Sequence, residues 1–213
     1  MKNLETIFSK IKPGICLIAV SKGQSVEKIK IAWAAGQKDF GENYAQELLM
    51  KAEALANLEI QWHFLGHLQK NKLNKLLPIL SWLHSLDSLS LAEAIQARAK
   101  KPLSCLLEIK LTSEKEKTGM TPEEAFQLIP HLNNLAMIDL KGLMTIPPAT
   151  ENAEESRQIF QKLFSLFKEI NDRYLYKKPL TELSMGMSGD FLIAMEEGAT
   201  MLRIGRAIFG ERI

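Results

Sequence analysis

Short apolar runs alternate with longer amphipathic stretches along the whole of this chain. The first run, Ile15-Cys16-Leu17-Ile18-Ala19-Val20, is continuous and apolar, as a strand buried on both faces should be. Runs of similar length follow at Lys38–Gly41, Trp62–Leu65, Trp82–Leu86 and Leu103–Ile109, then at Ile138–Met144, Glu182–Met185 and Met201–Gly205. The pattern predicts eight strands.

Between them the periodicity becomes helical, with recognisable ends. Ser25 opens a segment that stops at Gly36, and Asp87 or Ser88 caps Leu89–Lys100 ahead of Pro102. Thr121-Pro122-Glu123-Glu124 joins a capping hydroxyl to a proline at the first helical position. Another helix is expected to begin near Tyr44. The longest run, Glu151–Tyr176, aligns Ile159, Leu163, Leu166, Phe167 and Ile170 on one stripe. Met1–Lys12 reads as the last turns of an amphipathic helix.

Strand–helix alternation argues an α/β fold with a parallel sheet and helices outside it. Eight such units favour closure into a single (β/α)8 TIM barrel over an open sheet. No linker or low-complexity tract divides the chain, so residues 1–213 read as one domain.

Composition fits that picture. The 213 residues lie near the short end of the barrel range, about 200. A content of 46% hydrophobic and 24% charged residues is that of an ordinary globular protein. A net charge of +2 provides no large basic field, which argues against a nucleic-acid partner. Lys70, Lys72 and Lys75 form a short cluster without aromatic interleaving, the mark of a solvated helix face. No apolar run approaches the roughly 18 residues of a membrane span, and the N-terminus lacks a signal-peptide core. Cys16 and Cys105 lie inside apolar runs, as buried residues of a reducing compartment do. The four histidines, His63, His67, His84 and His131, form no zinc signature. A cytoplasmic protein away from membranes is expected.

In a barrel of this kind chemistry belongs at the C-terminal strand ends. Lys22 follows the first apolar run by one serine, which places its ammonium at the mouth. Burial there would lower its pKa and free the amine to form an imine with an aldehyde. The competing reading is a surface lysine snorkelling off a strand end. Asn43, after the second strand, is either a ligand contact or a helix cap. His63, within the third, is either a lumen-facing site residue or a satisfied core histidine.

The last two strands carry the strongest signal. They run into Ser184-Met185-Gly186-Met187-Ser188-Gly189-Asp190 and Arg203-Ile204-Gly205-Arg206-Ala207-Ile208. Both are glycine-containing turns into helical pattern, where free N–H groups and helix dipoles favour an anion. The loops after strands seven and eight are the habitual phosphate site of this architecture. Ser188 adds a hydroxyl, and Gly205 permits close backbone approach. The alternative is that these glycines only shape tight turns. Together with Lys22 they describe a ligand with an aldehyde at one end and a phosphate at the other.

These stretches resemble a known family. Ala19-Val20-Ser21-Lys22, Phe40-Gly41-Glu42-Asn43-Tyr44, Trp62-His63-Phe64-Leu65-Gly66-His67-Leu68-Gln69-Lys70-Asn71-Lys72, Gly142-Leu143-Met144 and the two glycine turns are similar, in order, to the pyridoxal phosphate homeostasis protein family. The resemblance spans nearly the whole chain. It implies a barrel like the N-terminal domain of alanine racemase, with pyridoxal 5′-phosphate carried as a Schiff base on Lys22. It also implies that Ser188 and the backbone at Gly205 and Arg206 hold the phosphate, and that Arg203 faces the pyridine nitrogen. Asn43, His63, Met144 and Met185 would line the pocket. An arginine at the pyridine nitrogen keeps it unprotonated and the ring a poorer electron sink.

There are departures. The family commonly continues after this lysine with threonine, lysine and proline, where this chain has Gly23, Gln24 and Ser25. A cofactor handover that uses a second lysine at that position is thereby put in doubt.

Racemisation on this cofactor takes an acid and a base on opposite faces of the substrate carbon. In alanine racemase-like enzymes the second group is a tyrosine on an added β-domain. With the sequence ending at Ile213, no such domain is expected, and Tyr174 and Tyr176 are expected at the end of an outer helix. The resulting expectation is a monomeric carrier or buffer of pyridoxal phosphate, not an enzyme, with pyridoxal phosphate-dependent apoenzymes as recipients. The alternatives are a one-domain enzyme with weak racemase-type activity and a lysine-imine aldolase acting on a phosphorylated sugar. Aldolase lysines usually sit on a later strand among acidic neighbours.

Overall fold

In the computed structural model, which describes residues 2–112, 118–148, 150 and 152–210, eight parallel strands close into a barrel in sequence order. They are β1 (Cys16–Val20), β2 (Asp39–Glu42), β3 (Gln61–Phe64), β4 (Leu80–Leu86), β5 (Leu103–Glu108), β6 (Ile138–Met144), β7 (Glu182–Ser184) and β8 (Met201–Ile204). The barrel closes where β1 pairs with β8, with Cys16 opposite Met201 and Ile18 opposite Arg203. Every predicted strand forms. Their ends shift by a residue or two, since side-chain pattern does not report where ladder pairing stops.

The helices are α1 (Lys2–Phe8), α2 (Val26–Ala34), α3 (Ala45–Ala54), α4 (Leu73–Leu76), α5 (Leu89–Gln96), α6 (Pro122–Leu132), α7 (Arg157–Asp172), α8 (Phe191–Glu196) and α9 (Arg206–Phe209). Their starts follow local chemistry. Ser25 and Ser88 each accept a hydrogen bond from the first turn they cap, and Thr121 forms a reciprocal capping box with Glu124. Gly36 follows α2 at φ +101°, a left-handed stop open to glycine. Lys70 and Lys72 fall on a 3-10 turn and Lys75 on α4.

The long C-terminal run is shorter than its pattern suggests. Residues Ala153–Ser156 form a 3-10 turn, α7 ends at Asp172, and Glu151 lies outside the described residues. The buried stripe of α7 is Phe160, Leu163, Leu166 and Ile170, with Phe160 in place of Ile159. Tyr176 lies beyond the helix, where its hydroxyl donates to the Ile138 carbonyl (3.0 Å) and accepts from the Leu140 N–H (3.2 Å). It pins the chain back onto β6.

The pleat divides the strands between two layers. Outward residues such as Leu17, Ala19, Leu143 and Leu202 join the helices in one continuous apolar core. Inward residues fill the lumen, where Ile18, Leu106, Met144 and Met201 pack together with Cys16 and Trp82 beside them. Both cysteines are free, and burial pushes the Cys16 thiol up to about 12 and the Cys105 thiol higher still. Such thiols are inert. Among the described residues no helix is long and apolar enough to cross a membrane, and no group of three ligating side chains could hold a metal ion.

Candidate functional site

Lys22 follows β1 by two residues and is half-buried in the β1–α2 loop. A buried ionic cluster fixes that loop on both sides of it. Lys51, 1% exposed on α3, donates to the Ser21 carbonyl (2.6 Å), to Glu42 Oε1 (2.7 Å) and to Glu47 Oε1 (2.6 Å). The Ser21 hydroxyl donates to the same Glu42 oxygen (2.6 Å), and the Gly23 N–H donates to Glu47 (2.6 Å). Burial raises the Glu42 carboxyl above the usual range, against the opposing pull of Lys51. The residues flanking Lys22 are therefore held by directed bonds, which fixes where its side chain leaves the backbone.

The loops after β7 and β8 meet at the same mouth. Ser188 Oγ accepts the Ala207 N–H in the first turn of α9 (3.1 Å), joining one loop to the other. Asp190 closes its own loop by accepting the Met187 N–H at Oδ1 (2.6 Å) and the Ser156 hydroxyl at Oδ2 (3.0 Å). A Cβ on Gly205 would lie 3.0 Å from the Val20 carbonyl. The strand-eight loop thus passes within contact distance of the backbone that leads to Lys22.

Arg203 is the charged floor between these loops. It is buried in β8, donating from Nη1 to Ser184 Oγ (2.6 Å) and from Nη2 to the Thr145 carbonyl (2.8 Å). Burial lowers its pKa to about 10, opposed by Asp190 and Glu108, so it stays cationic at neutral pH. Glu108, at the end of β5, is buried and accepts from the Thr118 hydroxyl (2.7 Å). Desolvation raises its carboxyl above the usual range.

The structure gathers Lys22, Asn43, Ser188, Gly205 and Arg206 at the C-terminal strand ends, with Met144 and Arg203 in the lumen beneath. Asn43 does not cap a helix: Tyr44 is the N-cap of α3, and Asn43 Oδ1 is buried with no hydrogen-bond partner. Two expected pocket residues lie elsewhere. Met185, one residue after the inward-facing Ser184, is turned by the pleat into the outer core. The His63 ring engages Asp39, at the first position of β2, and His84. It is a satisfied core histidine that turns away from the Lys22 mouth.

Sequence reasoning missed Lys51, Glu42, Glu108, His84 and Ser184. A signal existed for Lys51, which occupies the 3–4 spacing between Leu48 on α3 and Leu55 at its C-cap, both buried. A second opening lies at the opposite end of the barrel. A cavity of about 360 Å³ there is lined by Pro13, Cys16, Gly36, Lys38 and Asp39, far from the strand ends that carry Lys22.

The family pattern of the alanine racemase N-terminal domain matches residues 1–213. The pyridoxal phosphate homeostasis protein of Aquifex aeolicus (strain VF5) is 43% identical over 199 residues, covering 92% of this chain and 86% of the relative. That of Synechocystis sp. (strain ATCC 27184 / PCC 6803 / Kazusa) is 40% identical over 211 residues, covering 97% and 96%. The chain belongs to the pyridoxal phosphate homeostasis protein family. Among solved structures, that of PipY from Synechococcus elongatus PCC7942 with pyridoxal phosphate bound matches at a TM-score of 0.92 and 36% identity, over 98% of this chain and 99% of PipY. Alanine racemase from Clostridium difficile 630 shares the barrel at a TM-score of 0.77 and 20% identity, with this chain matching 56% of that enzyme.

Proposed function

We propose that this protein is a carrier of pyridoxal 5′-phosphate, holding the cofactor as a Schiff base on Lys22 and releasing it to dependent apoenzymes. The observation that carries the reading is the meeting, at one barrel mouth, of Lys22 with the loops joined by Ser188 and Ala207. The buried, unpartnered Asn43 Oδ1 at the same strand ends fits a polar ligand there. So does the arginine below it, and PipY, 36% identical to this chain, is solved with this cofactor.

Lys22 condenses through its amine with the aldehyde and releases one water. Ser188 and the backbone of Gly205 and Arg206 receive the phosphate, where the first turn of α9 favours an anion. Arg203, a donor-only group, faces the pyridine nitrogen and leaves it unprotonated. When bound, the cofactor supplies an electron-accepting ring, and this arginine restrains that capacity. A carrier is served by such restraint, since a weak electron sink protects the cargo from side chemistry.

One observation favours a second reading, slow racemase-type chemistry at the same imine. Glu108 is a buried carboxyl of raised pKa at a strand end, suited to proton transfer.

The test is the absorption spectrum of protein reconstituted with pyridoxal phosphate, followed by borohydride reduction of wild type and Lys22→Ala. A band near the visible edge, with the reduced adduct mapped to Lys22 and lost in the variant, supports the Schiff base. No band, or an adduct elsewhere, sinks it. Turnover of any common amino acid above about 1 per second would overturn the carrier reading in favour of the enzyme.

A further inference from the structure

Barrel lumens are normally filled by layers of branched apolar side chains. In this one His63, His84, Ser184 and Arg203 are all buried, with exposures of 0%, 0%, 0% and 4%. Aliphatic residues of similar size would avoid the cost of desolvating four polar groups. The four are joined in an unbroken line that continues to Asp39. Nη1 of Arg203 lies 2.6 Å from Ser184 Oγ, and Ser184 Oγ lies 2.9 Å from His84 Nδ1. His84 Nε2 lies 2.9 Å from His63 Nδ1, and His63 Nε2 lies 2.9 Å from Asp39 Oδ1.

With both imidazoles neutral, the chemistry of the two ends fixes the direction of every link. A guanidinium can only donate and a carboxylate can only accept. Arg203 therefore donates to Ser184, whose single hydroxyl proton goes to His84 Nδ1. His84, neutral and accepting at Nδ1, carries its proton on Nε2 and passes it towards His63 Nδ1. His63 in turn carries its proton on Nε2 and donates to Asp39. Burial holds both imidazoles below the usual histidine range, with Arg203 and His63 adding to the effect at His84. Trp82 stacks on His63 with ring centroids 5.8 Å apart and keeps its plane fixed. Asp39 lines the cavity at the N-terminal end, so the line runs from that opening to the floor of the Lys22 site.

We propose that Asp39, His63, His84 and Ser184 are positioning residues, a one-directional hydrogen-bond relay that orients the Arg203 guanidinium and couples it to the carboxylate at the opposite end of the barrel. In such a chain each bond polarises the next. The negative end makes Ser184 Oγ a stronger acceptor, which fixes the guanidinium fork and offsets part of its charge. The other charged groups that act on Arg203 are Asp190 and Glu108, neither of which belongs to the relay. The consequence at the cofactor rests on the reading of Arg203 and Lys22 given above, whereas the relay itself is a property of the chain alone.

Two measurements test it. The first is the nitrogen-15 NMR spectrum of the histidine side chains in protein freed of pyridoxal phosphate, at pH 7.5. Both His63 and His84 are expected neutral with the proton on Nε2. A proton on Nδ1 of either, or a doubly protonated ring, overturns the relay whatever the cofactor does. The second follows the pH midpoint of the reconstituted absorption band in Asp39→Asn, which keeps the hydrogen-bond acceptor and removes the charge. Without that charge Arg203 presents a stronger positive field to the protonated imine, so the midpoint moves down. The control is Asp139→Asn, a carboxylate near the start of β6 that pairs with Lys141 and Lys178 instead of the relay. A downward shift in Asp39→Asn alone supports the coupling. Equal shifts in both, or none in Asp39→Asn, overturn it. A wild type that forms no band sinks the Lys22 reading instead, and the tautomers still decide the relay.

Discussion

Lys51 reaches from α3 to donate to the Ser21 carbonyl at 2.6 Å, one residue before Lys22. A fully buried lysine is rare unless paired, and this one is held by two carboxylates as well. Its position makes it a strut for the loop that carries the proposed Schiff-base lysine. The loop's geometry thus depends on an ion pair formed by two other elements.

That dependence makes Lys51→Met a sharp test. Removing Lys51 leaves buried Glu42 without its cation, held by the Ser21 hydroxyl, and breaking comparable buried pairs costs about 3–5 kcal/mol. The expected outcome is a urea midpoint lowered accordingly, together with slower formation of the reducible band on Lys22. If the variant is as stable as wild type, the cluster is not the strut described here.

Ser188→Ala separates phosphate binding from imine formation. The variant removes a hydroxyl that now holds the Ala207 N–H and, under the proposed function, would also meet the phosphate. A hydrogen bond to a charged group contributes about 1.5–3 kcal/mol, so affinity for pyridoxal phosphate should fall about 10-fold to 100-fold. The borohydride adduct should still map to Lys22. Equilibrium dialysis against pyridoxal phosphate reads the affinity, and an unchanged value would remove Ser188 from the site.

The barrel was legible because its signals are local. Each strand is an apolar run between turn residues, and Ser25, Gly36 and Thr121 mark helix ends through their own backbone chemistry. The glycine turns after β7 and β8 were legible for the same reason. What the sequence hid was direction. Whether His63 faces the mouth or the opposite end depends on Asp39 and His84, which are 24 and 21 residues away in sequence. Met185 was misplaced because β7 ends at Ser184, and a shift of one residue exchanges lumen for outer core. The end of α7 at Asp172 was similarly hidden, because Tyr176 is buried by its bonds to β6 and not by a helical stripe.

Gly66 and Gly189 should respond oppositely to alanine. A Cβ on Gly66 would stand 2.1 Å from the Asn43 carbonyl oxygen, a backbone atom that cannot rotate away. Gly66→Ala must displace the β2–α3 loop, and a loss of about 1–3 kcal/mol is expected with weakened cofactor binding. A Cβ on Gly189 meets nothing within 4 Å, so Gly189→Ala should hold stability within about 0.5 kcal/mol. Thermal melts of the two variants check the pair. Equal losses would mean that the Gly66 contact is not what fixes the loop.

The buried histidines give the protein a defined response to acid. His63 and His84 have folded pKa values below the ordinary value of about 6.5, chiefly through burial. The unfolded chain gains protons at these sites before the folded chain does. Their contribution to stability is therefore complete above about pH 6.5 and is lost as pH falls below it, at up to about 1.4 kcal/mol per pH unit for each ring. Glu42 and Glu108 act with the opposite sign. Burial raises their folded pKa values above the unfolded value of about 4.3, so acidification across that interval favours the fold. Comparing wild type with His84→Gln cancels the carboxylates, which both proteins share. Urea unfolding between pH 7.5 and 5.5 should show stability falling less steeply with acid in the variant, by up to one proton's worth of slope. Parallel curves would mean that His84 takes up its proton alike in the folded and unfolded chains, so that burial does not hold its ring neutral.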